Sequence, residues 1–131
     1  MWKEPLLRFA HRVSIWAFWP AVMVIVWGEL APRLPQAFDQ IDDKSQHFTA
    51  YFGLAGMAVV AVGMRSRLIW SLLGILALGG VLEILQGYTG RDPEFSDFVA
   101  DAAGVAAGAV AGWLFLLAMW PTQLVDAPRG D

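Results

Sequence analysis

The sequence predicts an all-α membrane protein, an antiparallel bundle of four transmembrane helices preceded by a short amphipathic helix. The 131 residues are 57% hydrophobic, and the mean hydropathy of +0.52 is too high for an ordinary soluble domain. Four apolar stretches also approach the ~20 residues that a helix needs to cross a bilayer. We place these spans at residues 13–31, 46–64, 68–88 and 93–120, in a single domain that covers residues 1–131.

The first helix in chain order is the amphipathic one. Pro5 suits the first turn of a helix, and Trp2, Leu6 and Phe9 recur at helical spacing. We expect this segment to lie along the inner leaflet before span one enters the bilayer. Pro20 lies inside span one, where a proline removes a backbone hydrogen bond and can kink the helix.

The two connections at the predicted outer side contain the residues that are expected to cap spans two and four. Residues 32–45 form the longest connection. Its two prolines and Phe38 favour an ordered cap over the mouth of the bundle, and the alternative is a mobile loop. Asp42 or Asp43 can cap the start of span two. In the last connection, Asp92 reads as a helix cap, with Pro93 at the first helical position.

The distribution of basic residues predicts the orientation of the chain. Six of the nine Lys and Arg residues lie in the N-terminal segment, the second connection and the tail that holds Arg129, whereas Arg33, Lys44 and Arg91 lie on the other side. Basic loops stay cytoplasmic, so both termini should be cytoplasmic. The net charge of −3 is too small to suggest nucleic acid as a partner. The chain has no cysteine, which excludes disulfides and thiolate chemistry.

Polar residues concentrate at the predicted outer end of the bundle. Nine of the twelve acidic residues lie there, and ionisable groups in a membrane usually mark a functional site. Helical spacing aligns several of them on facing helices. The residues predicted to line an outward-facing pocket are Asp43, Lys44, His47, Tyr51, Glu83, Gln86, Arg91, Asp97 and Asp101. Below them, Gly104, Gly108 and Gly112 form a small-residue stripe for close helix packing.

Several chemistries compete for this pocket. The simplest interpretation is a polar network that only fixes the register of the helices. An intramembrane hydrolase or transferase would use His47 as acid or base, oriented by Asp43 and assisted by Arg91. Ser45 and Ser96, however, sit in no recognised nucleophile motif. A metal held by His47 with Glu83 and Asp101 is chemically allowed. One histidine and no fixed motif argue against it, so neither a metal nor a cofactor is predicted.

Two segments resemble the VanZ-like family of small bacterial membrane proteins: DDKSQHFTAYFGL at Asp42–Leu54 and EILQGYTGRDPEFSDFVADAAGVAAG at Glu83–Gly108. The matching positions are Asp43, Lys44, His47, Phe48, Tyr51, Glu83, Gln86, Arg91, Asp97, Asp101, Gly104 and Gly108. They cover about half of the chain. The chain departs from the family at Ala102 and Ala103, where members often carry an asparagine before the glycines.

The resemblance implies a multi-pass protein of the bacterial cytoplasmic (inner) membrane. The name-giving member of the family is associated with low-level resistance to teicoplanin, a lipid-bearing glycopeptide. We therefore expect an envelope protein whose pocket binds an amphiphile such as a cell-wall precursor, a lipid headgroup or a lipoglycopeptide. A binding protein is favoured over an enzyme. The expected partners are membrane lipids. The alternatives are an accessory subunit docked on a larger membrane protein complex and the His47-based hydrolase or transferase.

Overall fold

The computed structural model describes residues 2–32 and 41–119, and in these ranges the chain is helical, with no strand. The four helices are α1 (Lys3–Leu30), α2 (Asp43–Val62), α3 (Arg67–Gln86) and α4 (Phe95–Met119). The all-α prediction is therefore confirmed. The predicted cap formed by Phe38 and the tail residue Arg129 lie outside the described residues.

Helix α1 differs from the prediction of a separate amphipathic segment. It runs without interruption for 28 residues and includes Pro20. No glycine or proline stands between Pro5, in the first turn, and Pro20, so nothing in this stretch breaks the helix. The prediction of a separate short N-terminal helix is thus wrong, because these residues form the first part of α1.

Three of the four helices, α1, α3 and α4, are long and apolar enough to cross a membrane. These helices indicate a membrane protein. Helix α2 is not among them, although it has 20 residues. The prediction of four membrane-length apolar spans therefore holds for three helices, and α2 is the exception because its first half is polar.

The helix starts follow local capping chemistry. Asp42 caps α2 as predicted, because its Oδ2 accepts hydrogen bonds from the Ser45 backbone N–H at 3.0 Å and from Ser45 Oγ at 2.7 Å. Helix α4 begins at Phe95, later than predicted, so Asp92 is not its cap. The Glu94 backbone N–H, just before α4, donates to Glu83 Oε2 at 3.1 Å, so a side chain of α3 holds the start of α4.

Helices α2 and α4 run in the same direction and share the most extensive contact in the bundle. The glycine stripe of α4 lies against α2. A Cβ atom added at Gly104 would meet the Phe48 carbonyl, and one at Gly108 would meet the Phe52 carbonyl. Glycine is therefore required for the two backbones to approach this closely.

Candidate functional site

The polar residues predicted for the pocket lie at one end of the bundle, where α1 and α3 end and α2 and α4 begin. His47 and Asp101 form its centre. His47 Nδ1 and Asp101 Oδ1 share a hydrogen bond of 2.9 Å, and both side chains are buried. The sequence-based hypothesis of a histidine oriented by Asp43 differs from this arrangement, because the carboxylate that holds His47 belongs to α4.

Glu29 joins this centre, and sequence analysis did not include it among the pocket residues. It lies in the last turn of α1, is only 7% exposed, and places Oε1 3.9 Å from His47 Nδ1. Tyr51, fully buried one turn below His47, interacts electrostatically with Glu29 and Asp101. A lone acid at the end of an apolar helix was the signal that could have identified Glu29.

Arg91 clamps three elements at the rim of the site. Its Nη1 donates to the carbonyls of Gly28 and Glu29 at 3.2 and 3.3 Å, and its Nη2 donates to Asp43 Oδ1 at 3.2 Å. Gln86 adds a further bond, from Nε2 to the Glu29 carbonyl at 3.1 Å. These donors satisfy carbonyls that the end of α1 leaves without helical partners.

Lys44 occupies the other side of the mouth. Its ammonium donates to Glu94 Oε2 at 3.2 Å and lies 3.7 Å from Oδ1 of the buried Asp97. The hydrogen bond from Lys44, reinforced by one from Ser96 Oγ, holds the pKa of the exposed Glu94 carboxyl below its ordinary value. Lys44 is therefore a mouth residue with an established partner.

Glu83 and Asp101 lie at different depths in the site. Glu83 accepts from the Glu94 backbone at the start of α4. Asp101 lies against Gly79, one turn deeper on α3, where an added Cβ would come within 2.5 Å of Asp101 Oδ2. The absence of a side chain at Gly79 gives Asp101 its space.

The centre holds more buried negative groups than positive ones. Four acids are buried, Glu29, Glu83, Asp97 and Asp101, and each has at least one oxygen that makes no hydrogen bond to the described residues. Among the described residues, His47 is the one buried side chain that can carry a positive charge. Uncompensated carboxylates in a low-dielectric interior cost several kcal/mol each, so protons or a cation must offset them.

A cavity of about 310 Å³ opens beside this centre, between α1 and α2. Its polar wall includes Glu29, Asp43, His47 and Arg91. Its apolar wall consists of Val24, Ile25, Trp27, Ile41 and Ala50. One cavity thus offers both a charged surface and an apolar surface to a ligand.

The hydroxyl groups of the two serines near the mouth donate hydrogen bonds to nearby carboxylates. Ser45 Oγ donates to Asp42 and Ser96 Oγ donates to Glu94 at 3.0 Å. Neither hydroxyl is hydrogen-bonded to His47 in the described structure, so neither forms the nucleophile–base pair that acyl transfer requires. A histidine–carboxylate pair with no adjacent nucleophile can bind, position or exchange a proton.

Comparison with known proteins found no matching family model, no matching curated protein and no matching solved structure. The resemblance to the VanZ-like family therefore stays a prediction that rests on the order and spacing of the residues in α2, α3 and α4.

Proposed function

We propose that this chain is a multi-pass membrane protein whose cavity between α1 and α2 binds the head and the first part of the tail of an amphiphile. The observation that carries the proposal is the composition of the cavity wall, which combines Glu29, His47 and Arg91 with Val24 and Ala50. Ligand sites are mostly apolar with a few convergent polar groups, and the volume of about 310 Å³ lies at the lower end of their range.

The proposed orientation places this cavity on the outer side of a bacterial cytoplasmic membrane, with α2 as the fourth span. The positive-inside distribution supports it, because Arg65 and Arg67 flank the opposite end of the bundle. The resemblance to the VanZ-like family makes a lipid-bearing envelope molecule the ligand class. A cysteine introduced at the exposed Asp92 should react with an impermeant thiol reagent in whole cells, and one at Ser66 should not.

The binding proposal is tested by blocking the apolar part of the cavity. Ala50→Phe places a ring in the cavity, whereas Ala77→Phe places the same ring on the exposed face of α3. Each protein is extracted from its native membrane in mild detergent and examined by native mass spectrometry with identification of bound lipids. We expect a defined amphiphile on the wild type and on Ala77→Phe, and a loss of at least about tenfold on Ala50→Phe, since bound ligands fill most of such a pocket.

Two results would contradict the proposal. One is an Ala50→Phe protein that retains the same amphiphile at the wild-type ratio. The other is a wild-type protein that carries only the average lipids of the membrane.

A further inference from the structure

We propose that Glu29, His47 and Asp101 bind a divalent first-row transition-metal ion. Each side chain offers one ligand atom, and the three atoms lie within 4.8 Å of one another. His47 Nδ1 is 2.9 Å from Asp101 Oδ1 and 3.9 Å from Glu29 Oε1. Bonds of about 2.0–2.2 Å place tetrahedral ligand atoms about 3.4 Å apart, so small side-chain adjustments bring these donors onto one ion.

The unpartnered oxygens of this group point to a cation independently of the spacing. Both Glu29 oxygens and Asp101 Oδ2 are buried and meet no donor with good hydrogen-bond geometry among the described residues. The Tyr51 hydroxyl interacts with the Glu29 carboxylate but supplies no positive charge. Lys44 and Arg91, the basic side chains at the rim, already pair with Glu94 and Asp43. A divalent ion supplies the positive charge that the buried carboxylates lack.

A second group, formed by Asp43, His47 and Asp97, also has metal-like spacing. It shares His47 with the first group, so the two cannot both be filled through the same nitrogen. Asp43 is 45% exposed at its side chain and bonds Arg91, whereas Glu29, His47 and Asp101 are all buried. The first group is therefore the stronger ligand set.

The donor set defines the class of ion. Imidazole nitrogen suits Zn²⁺, Fe²⁺ and Cu²⁺, while carboxylate oxygen suits Mn²⁺ and harder ions, so a mixed set favours Zn²⁺, Fe²⁺ or Mn²⁺. Three protein ligands also leave a coordination position for a further ligand. Glu29 and His47 line the cavity, so a molecule that enters the cavity can reach the ion.

Binding requires the loss of a proton from the His47–Asp101 pair. The hydrogen bond between His47 Nδ1 and Asp101 Oδ1 needs one proton on one of these two atoms, whereas both atoms must present lone pairs to bind a metal. That proton therefore leaves to solvent when the ion binds, and affinity falls as the pH is lowered. This inference does not rest on the proposed amphiphile binding, because the ion is held by protein groups alone.

The test uses purified full-length protein in detergent, stripped with a chelator and dialysed against Zn²⁺ or Mn²⁺. Elemental analysis should find one ion per chain, with affinity that decreases at lower pH. His47→Ala should weaken binding by more than about tenfold, whereas His11→Ala, at the opposite end of the bundle, should bind like the wild type. Glu29→Gln keeps the shape of its side chain and should also weaken binding, which guards against misfolding of the alanine variant.

X-ray absorption at the Zn edge should show one nitrogen and at least two oxygen ligands in the wild type. The proposal would be overturned if His47→Ala and Glu29→Gln bound each ion as tightly as the wild type does. A wild-type protein that holds no ion at micromolar concentration would overturn it as well. Ala50→Phe separates the two proposals, because it should lose the amphiphile and keep the ion.

Discussion

Helices α1 and α2 show opposite relations between composition and burial. Helix α1 is apolar enough to cross a membrane, yet it exposes most of its large side chains, with Trp16 81% exposed. Helix α2 falls outside that class, yet Tyr51, Leu54 and Ala55 are completely buried. The helix that lacks the hydropathy of a membrane span therefore lies at the centre of the bundle, and one that has it lies at the edge.

The contrast follows from the solvent. In lipid, an apolar side chain gains nothing by leaving the surface, so α1 can remain exposed without penalty. A polar side chain does gain by turning inward, where other polar groups can satisfy it. Helix α2 consequently directs His47 toward Asp101 and Gly56 toward Gly108 of α4. The candidate site therefore belongs to the helix that hydropathy alone does not identify as a membrane span.

The central position of α2 depends on its close contact with α4, and Gly108→Ala should have the largest effect. The new Cβ would collide with the Phe52 carbonyl, a backbone atom that cannot rotate away. We expect a loss at the upper end of the ~1–3 kcal/mol typical of overpacking, measured as a lower unfolding temperature in detergent by tryptophan fluorescence.

Gly74→Ala is the matched control for this change. Gly74 lies in α3 with no atom within 4 Å of an added Cβ, and alanine has the higher helix propensity, by ~1 kcal/mol. It should leave the unfolding temperature unchanged or raise it. Equal destabilisation by both substitutions would show that the α2–α4 contact is looser than described.

The attachment of α1 to α2 depends on Arg91, and Arg91→Ala should have an intermediate effect. The substitution removes the bonds to the Gly28 and Glu29 carbonyls and to Asp43. Each charged hydrogen bond contributes about 1.5–3 kcal/mol when buried, but Asp43 is half exposed, so solvent screening lowers the total to about 1–2 kcal/mol. Chemical denaturation in detergent would measure this loss.

Arg67→Ala, at the exposed start of α3, is the control because it also removes one positive charge. Its stability should match that of the wild type. If Arg91→Ala also unfolds like the wild type, then α1 is held by packing with α2 and the rim bonds are incidental.

The sequence predicted the positions of the helices along the chain better than the contacts between them. The predicted spans at 46–64 and 68–88 lie close to α2 and α3, because apolar length and the Asp42 cap are local signals. The polar end was identified from spacing along each helix. The partners were not, since His47 bonds Asp101 rather than Asp43 and this choice depends on how two helices are placed in space.

Glu29 shows the same limit. The sequence predicts only that it lies at the polar end of the bundle, because its distance of 3.9 Å from His47 depends on the approach of α1 to α2. The relative depth of Glu83 and Asp101 likewise depends on the shape of the α3–α4 contact at Gly79. Long-range register is not encoded in the periodicity of one helix, so these details required the structure.

The lipid-facing role of α1 leads to the smallest expected effect, that of Trp16→Ala. Trp16 is 81% exposed, so its removal leaves no cavity in the bundle and replaces one lipid contact by another. We expect a stability change below about 0.5 kcal/mol in the same denaturation assay. Leu54→Ala, in the buried part of α2, should cost more, because truncation of a buried leucine leaves a void. A large loss for Trp16→Ala would instead identify this face of α1 as a surface that packs against another protein.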